Sequence, residues 1–404
     1  MSKYRIFKWL QNLLVYGLLL GFAYIMLFPF LFMFSTSFKL QTDTYRYPPR
    51  LVPMKPVETE VVGEDELKPL YYVQYEGEER EFALLERSAP AGIYATVDAP
   101  EDTVVVAMEL VQPTGGEASQ TEVQFQGEAV PVWDVPVGGE IVEMVKVDQT
   151  ALGRFVDPEN PENVAFQKFR ESVAVEKPTL IPENYKKVRD LQGLDRALTN
   201  TALVTILVVL GQLATSVVGG YALARLRFPG REQIFLVYLG TIMIPFVVLI
   251  TPLYQLMVML GWVDKLASLI IPWIFSAYGT FMMRQFFITV PKEIEEAALI
   301  DGATRLDILW RIFLPAATPA LATQATFSFL YAWNSFFWPL IVINTGNVDN
   351  HVLTLALSIL RGKAADNANL VMAGAAIAIL PPMIIYIFAQ RFFVESATSS
   401  GVKG

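Results

Sequence analysis

Residues 293–315 read EIEEAALIDGATRLDILWRIFLP, a charged, alanine-rich, glycine-broken segment between two stretches greasy enough to cross a membrane. Pro291 can open a helix, since its missing N–H would be an orphan there in any case. Glu293, Glu295 and Glu296 fall in the first turns, where carboxylates complement the helix dipole. Ala297, Ala298, Gly302 and Ala303 are small and let another backbone come close. Gly302 is placed to end this helix and start a second, about Thr304 to Phe313, with Leu314-Pro315 leading into the next apolar stretch. A helix–turn–helix with small residues at its bend and carboxylates at its edge is suited to docking in a groove. The same residues also fit an amphipathic helix on a membrane surface, with Leu306, Leu309, Trp310 and Phe313 among the headgroups.

Bond-making chemistry is scarce. Cysteine is absent and His351 is the only histidine, which removes thiolate, iron–sulfur and most imidazole-based schemes. His351 is expected to be a solvated connector residue. No G-x-x-x-x-G-K-[ST], H-E-x-x-H or G-x-S-x-G occurs, so the chain is not expected to hydrolyse ATP, hold a metal or carry a cofactor. The central apolar stretches carry no carboxylate; Asp264 belongs to a short turn. A carrier driven by protons or sodium commonly needs such a group in the low-dielectric core.

The elements that position the charged segment are apolar. The chain is 53% hydrophobic and its mean hydropathy is +0.40. Six stretches emerge: Leu13–Phe34, Ala202–Leu223, Ile234–Leu260, Leu266–Phe287, Ala316–Ile343 and Leu370–Phe388. At ~1.5 Å per residue each can cross a ~30 Å hydrocarbon core, and in lipid each is expected to be a helix. Lys3, Arg5 and Lys8 precede the first, which is too long for a cleaved signal and reads as an anchor. Lys and Arg in the short connectors concentrate on one side: the N-terminus, Arg225 to Arg231, the region of residues 284–311, and Arg391 with Lys403. Lys265, Arg361 and Lys363 stand alone on the other. The positive-inside rule therefore puts both termini and the charged segment in the cytoplasm of a multi-pass membrane protein.

Residues 39–196 form a separate object. They hold 30 acidic and 16 basic residues, against 10 and 15 elsewhere. Alternation in Tyr71–Tyr75, Ile93–Val97, Thr103–Leu110 and Thr121–Val130, punctuated by Gly and Pro, predicts a β-rich extracytoplasmic domain. A more helical return is expected over Glu162–Arg170, with an approach at Asp190–Thr199. A spacer or docking surface is the favoured role; acidic runs such as Glu76-Gly77-Glu78-Glu79 lack calcium-loop spacing.

The spacing within the charged segment resembles the EAA loop of permeases of binding-protein-dependent ABC importers: Glu296-Ala297-Ala298, three residues, Gly302, nine residues, then Ile312-Phe313-Leu314-Pro315. Asn200-Thr201, Tyr221 to Arg225, Ile244-Pro245, Arg284 to Phe287, Trp333-Asn334 and the terminal Gly401 to Gly404 are similar to the carbohydrate, maltose-type branch. The resemblance covers essentially everything outside 39–196, an insert far larger than such permeases usually carry.

It implies the six-span permease fold: residues 1–38 as N-terminus and first span, 197–395 as the core with coupling loop 291–315, and 396–404 as a cytoplasmic tail. It implies a non-catalytic subunit of a bacterial or archaeal cytoplasmic membrane, importing a sugar or sugar-like solute. The implied partners are a homologous permease, an ATPase dimer that binds ATP and Mg, an extracytoplasmic sugar-binding protein and lipid, with no nucleic acid. Glu295, Glu296, Ala297, Ala298, Asp301, Gly302, Ile312, Leu314 and Pro315 would meet the ATPase, as would Gly401 and Lys403 of the tail. Trp333, Asn334 and Trp338 are pathway candidates, because aromatic faces stack on sugar rings and an amide bonds hydroxyls. Gln212, Gln324 and Ser335 are expected chiefly to bond between helices. The alternatives are a secondary carrier, or a membrane-anchored receptor using the acidic domain.

Overall fold

The computed structural model describes residues 3–116, 121–125 and 127–401. The chain divides into two compact units, Val52–Leu180 and the remainder.

Val52–Leu180 is antiparallel β throughout. Its main strands are β1 (Lys68–Tyr75), β2 (Glu78–Ala95), β3 (Thr103–Ala107), β4 (Glu128–Val137), β5 (Glu140–Val156) and β6 (Val164–Gln167). The sheet runs β1-β2-β5-β4, with β3 on β2 and β6 on β5. Glu76-Gly77 joins β1 to β2 and Gly138-Gly139 joins β4 to β5, all four with positive φ. Two such residues in succession match the twist of flanking strands, so both acidic Glu76 and the Gly pair serve hairpins. Val73, Phe82, Leu84 and Phe155 bury together, and Tyr94, Val135 and Met144 form a second cluster. The expected helical return over Glu162–Arg170 is instead β6 followed by a single 3-10 turn at Phe169–Glu171. Ala165 packs into the Val73–Phe155 cluster, and pairing with β5 outweighs local helix propensity there.

Among the described residues of the other unit, three helices are long and apolar enough to cross a membrane: Phe7–Ser37 of α1 (Lys3–Ser37), α2 (Leu194–Arg225), and Ala368–Arg391 of the C-terminal helix Ala368–Gly401. The remaining expected spans are broken. Arg231–Met243 and Phe246–Leu260 meet at a 100° bend. Pro245, extended at ψ 131°, supplies no N–H to continue the ladder. The Leu266–Phe287 stretch splits into turns over Ala267–Trp273 and α3 (Ala277–Thr289), where Ser276 leaves the helical region and caps α3 by accepting the Gly279 N–H. The last stretch splits into α5 (Thr318–Trp333) and Phe337–Val342, leaving the name α4 for Lys292–Ile300 between α3 and α5.

Helix α2 is the axis of this unit. Gly220 lets α3 approach so closely that an added Cβ would lie 2.7 Å from Met283 Cβ. Val217, Tyr221, Met283, Phe287 and Phe313 bury together at this crossing. His351 is fully buried, contrary to the expectation of a solvated residue. Asp264 ties down its connector: the Asp264 carboxylate accepts the Asn344 N–H (3.1 Å) and a hydrogen bond from Asn347 Nδ2 (2.7 Å), and its carbonyl accepts one from Asn350 Nδ2 (2.6 Å).

Candidate functional site

The charged segment folds as two helices around Gly302. Helix α4 carries Glu293 and Glu295 in its first turn. Gly302 follows at φ +81°, a conformation L side chains rarely adopt. Ala303 N–H then bonds back to the Ala298 carbonyl (2.9 Å), and Thr304 starts the second helix. Thr304 and Asp307 form a reciprocal capping box. The Thr304 hydroxyl, and then its backbone N–H, hold the Asp307 carboxyl below its usual range. A π-helical turn over Leu309–Phe313 follows, with Leu309 and Phe313 buried.

The two adjacent glutamates face opposite ways. Glu295 is buried, with its carboxylate bonded by Arg305 and lying 3.5 Å from Arg225 Nη1. Glu296 is exposed and pairs with no basic group among the described residues. Exposed beside it are Ala297, Asp301 and Gly302, together with the apolar Ile300, Leu306 and Trp310. Ala298, Ile312 and Leu314 are half-buried against the span cluster, and Pro315 is exposed. The expected docking residues thus divide into an inner face fixed to the spans and an outer face open to a partner.

Arg225, at the end of α2, is the hub of the inner face. Its guanidinium donates to the carbonyls of Phe287 in the last turn of α3 (3.0 Å from Nε) and of Val290 just beyond it. It also lies 4.9 Å from the centre of the Phe313 ring. One side chain, 5% exposed, therefore joins α2, α3, α4 and the turn leading into α5. Nearby, Arg284 bonds Glu232 through both carboxylate oxygens (3.0 and 2.9 Å) and the Leu223 carbonyl (3.2 Å). In the sequence both arginines counted as orienting charges and as part of the family resemblance but not as anchors of the loop, because their partners are distant along the chain.

The pathway candidates are placed otherwise. Trp333 and Trp338 are buried, with their indole N–H groups given to the carbonyls of Ala378 (3.0 Å) and Ser268 (2.9 Å). They line a cavity of only about 20 Å³. Asn334 is exposed but donates to its own helix at Leu330. Gln212 and Gln324 do bond between helices: Gln212 Nε2 reaches the Trp273 carbonyl (2.8 Å), and Gln324 Nε2 reaches Ser216 Oγ (2.7 Å). Gly401 ends the described C-terminal helix, and Lys403 lies outside the described residues.

A polytopic helical protein with a charged loop clamped onto its spans is the class these observations define. The family model of the "Binding-protein-dependent transport system inner membrane component" matches residues 216–398. The arabinooligosaccharides transport system permease protein AraQ of Halalkalibacterium halodurans is 38% identical over 205 residues, covering 51% of this chain and 73% of that protein. The sn-glycerol-3-phosphate transport system permease protein UgpE of Rhizobium meliloti is 35% identical over 224 residues, covering 54% and 79%. Among solved structures, a bacterial ABC transporter involved in import of the acidic polysaccharide alginate matches at TM-score 0.47 and 26% identity, over 53% of this chain and 82% of that one. This chain belongs to the binding-protein-dependent transport system inner membrane component family and is a permease subunit of an ABC importer.

Proposed function

We propose that this chain forms half of the pathway for a sugar or sugar-like solute and receives the work of ATP hydrolysis through residues 291–315. The observation that carries the reading is the opposition of Glu295 and Glu296. Arg225 and Arg305 fix the inner face of α4 to the chain's own helices, while Glu296, Ile300, Leu306 and Trp310 face outward. A partner gripping the outer face would move the span ends with it, because the buried cluster deforms as a unit rather than continuously. In this reading Glu296 pairs with a basic group of the ATPase, and Gly302 permits the bend that offers it.

The reading extends to six crossings, three of them broken helices, with both termini and the loop cytoplasmic and Val52–Leu180 extracytoplasmic. Its further partners are a homologous permease and an extracytoplasmic binding protein. The names of AraQ and UgpE support a carbohydrate or a polyol phosphate as solute. Glu296→Lys reverses the charge of the outer face. Gly302→Pro cannot adopt φ +81°. Both variants are expected to insert normally, lose co-purification with the ATPase and lose uptake. Normal uptake in either overturns the assignment.

A further inference from the structure

At the end of α2 opposite Arg225, an open cavity of about 420 Å³ joins a charged wall to an apolar one. That volume lies within the ~300–1,000 Å³ typical of small-molecule sites. Lys186 and Arg189, from the helix Glu183–Gln192, form the charged wall with Asp195 of α2. Leu198 of α2 and Ile377 of the C-terminal helix form the apolar one. Ile377 lies about 13 Å along the axis from the start of its helix at Ala368, at ~1.5 Å per residue. Each headgroup layer of a bilayer is only ~5–8 Å thick, so a path from Lys186 to Ile377 runs from headgroup to hydrocarbon depth.

Buried contacts hold the charged wall in place. On the inner face of its helix, Val188 packs with Leu194, Leu360 and Ala373. Asn184, 2% exposed, donates through Nδ2 to the carbonyls of Ser37 (2.9 Å) and Lys39 (2.8 Å). Tyr185, which also lines the cavity, shares a hydrogen bond with Ser37 Oγ (2.8 Å) and sets its ring against Phe38. Gly193, left-handed at φ 56° and ψ 41°, turns the chain directly from this helix into α2. The tight turn puts Lys186 and Arg189 on the same cavity as Asp195 and Leu198. Arg189 is partly neutralised by Asp190 (3.2 Å). Lys186 and Asp195 are exposed, and neither side chain has an ion-pair partner among the described residues.

We infer that this cavity is a phospholipid site for a zwitterionic head with a primary ammonium, a phosphatidylethanolamine. The phosphodiester oxygens accept from Lys186 and Arg189, and the ammonium donates to the Asp195 carboxylate. One acyl chain lies along Leu198 and Ile377. The ionised side chains decide the class: two cations, one already paired, beside an unpaired carboxylate match a zwitterion rather than a net anion. Phosphatidylglycerol offers Asp195 no cation, and the trimethylated head of phosphatidylcholine offers it no N–H. The inference goes beyond the importer reading and depends on neither its solute nor its coupling loop. In the orientation proposed above, the lipid sits in the outer leaflet.

Native mass spectrometry of the full chain, delipidated in detergent within the complex it purifies with, reads retained lipid directly. Palmitoyl-oleoyl phosphatidylethanolamine, phosphatidylglycerol and phosphatidylcholine are offered at equal concentration. One phosphatidylethanolamine should be retained about fivefold or more above either competitor, since only it satisfies Asp195. Lys186→Ser combined with Arg189→Ser should lower that retention roughly tenfold. Asp195→Asn should bring the three lipids within about twofold of one another. Lys187→Ser removes the same charge from an exposed neighbour that does not line the cavity, and should leave retention unchanged. All four positions are exposed, so the variants should fold as the parent does. Equal retention of phosphatidylglycerol, a loss in Lys187→Ser as large as in the double variant, or a preference indifferent to Asp195→Asn would each overturn the site. So would retention of no lipid, the result if a neighbouring subunit covers the cavity.

Discussion

Arg225→Met should uncouple the charged loop from the spans without touching its outer face. Methionine keeps the unbranched stem and removes the charge. The change leaves Glu295, at 10% side-chain exposure, with Arg305 alone, a side chain that is half in solvent. It also strips the Phe287 and Val290 carbonyls of their charged donor. Removing one partner of a buried ion pair costs about 3–5 kcal/mol. Because Arg305 remains, the lower end applies, about 3 kcal/mol, which is roughly 10²-fold in the docking equilibrium of α4. Hydrogen exchange reads this directly: amides of Lys292–Ile300 should exchange up to about 10² faster in Arg225→Met where local opening governs exchange. Glu295→Gln should move the same amides in the same direction. Glu296→Gln, at an exposed position, should shift stability by less than about 0.5 kcal/mol and leave their exchange nearly unchanged, while weakening capture of the ATPase. Equal exchange effects from Glu295→Gln and Glu296→Gln would refute the inward–outward division, and unchanged exchange in Arg225→Met would refute the hub.

Three further outcomes follow from local geometry. Gly220→Leu should loosen the α2–α3 crossing by at least the ~1–3 kcal/mol typical of overpacking, whereas Gly240→Ala, where an added Cβ meets nothing within 4 Å, should be tolerated; thermal unfolding in detergent distinguishes them. Asp307 is held below the usual carboxylate range, so its cap contributes above the pKa of a free Asp and is lost as pH falls through the lowered value. Thr304→Ala should return the titration of Asp307 toward its ordinary range, so the loop frays at a higher pH, as carboxyl NMR and loop amide exchange would show. Residues 52–180, expressed alone, should give the far-ultraviolet spectrum of a folded antiparallel sheet and unfold cooperatively, since their buried clusters are internal to that unit.

What could be read from the sequence depended on how local its cause was. Gly302 was legible because a left-handed bend is a property of one residue. The facing of Glu295 was not, because adjacent helix residues differ only by rotation and the deciding partner, Arg225, arrives from another helix. Hydropathy located the apolar stretches and could not locate their breaks. Pro245 stands at a 100° bend, yet Pro252, Pro381 and Pro382 lie inside helices. Whether a proline ends a helix depends on what satisfies the freed carbonyl, which is a tertiary matter. Trp333 and Trp338 read as sugar platforms by residue type; residue type could not show that both are buried, with indole N–H groups given to the carbonyls of Ala378 and Ser268. In the β unit, alternation over Thr103–Leu110 marked a strand that the structure ends at Ala107, with Met108–Leu110 a 3-10 turn, whereas β5 pairs with β2 through three register shifts.

In the importer reading, the continuity of α2 carries displacement of the charged loop into the spans. Helix α2 ends at Arg225, the hub of the charged loop, and carries Gln212 and Ser216, which hold the amide of Gln324 on α5. At ~1.5 Å per residue, Arg225 and Gln212 are separated by about 20 Å along one continuous axis. Across that axis lies α3, where a Cβ added at Gly279 would come within 2.3 Å of Gln324 Nε2 and displace it. Displacing the loop therefore need not be relayed through side-chain repacking. A rigid shift of α2 against α3 would move the Ser216 end of the Gln324 contact directly. The broken helices can absorb the motion at Ile244-Pro245 and Ser276, where no backbone ladder has to be sheared.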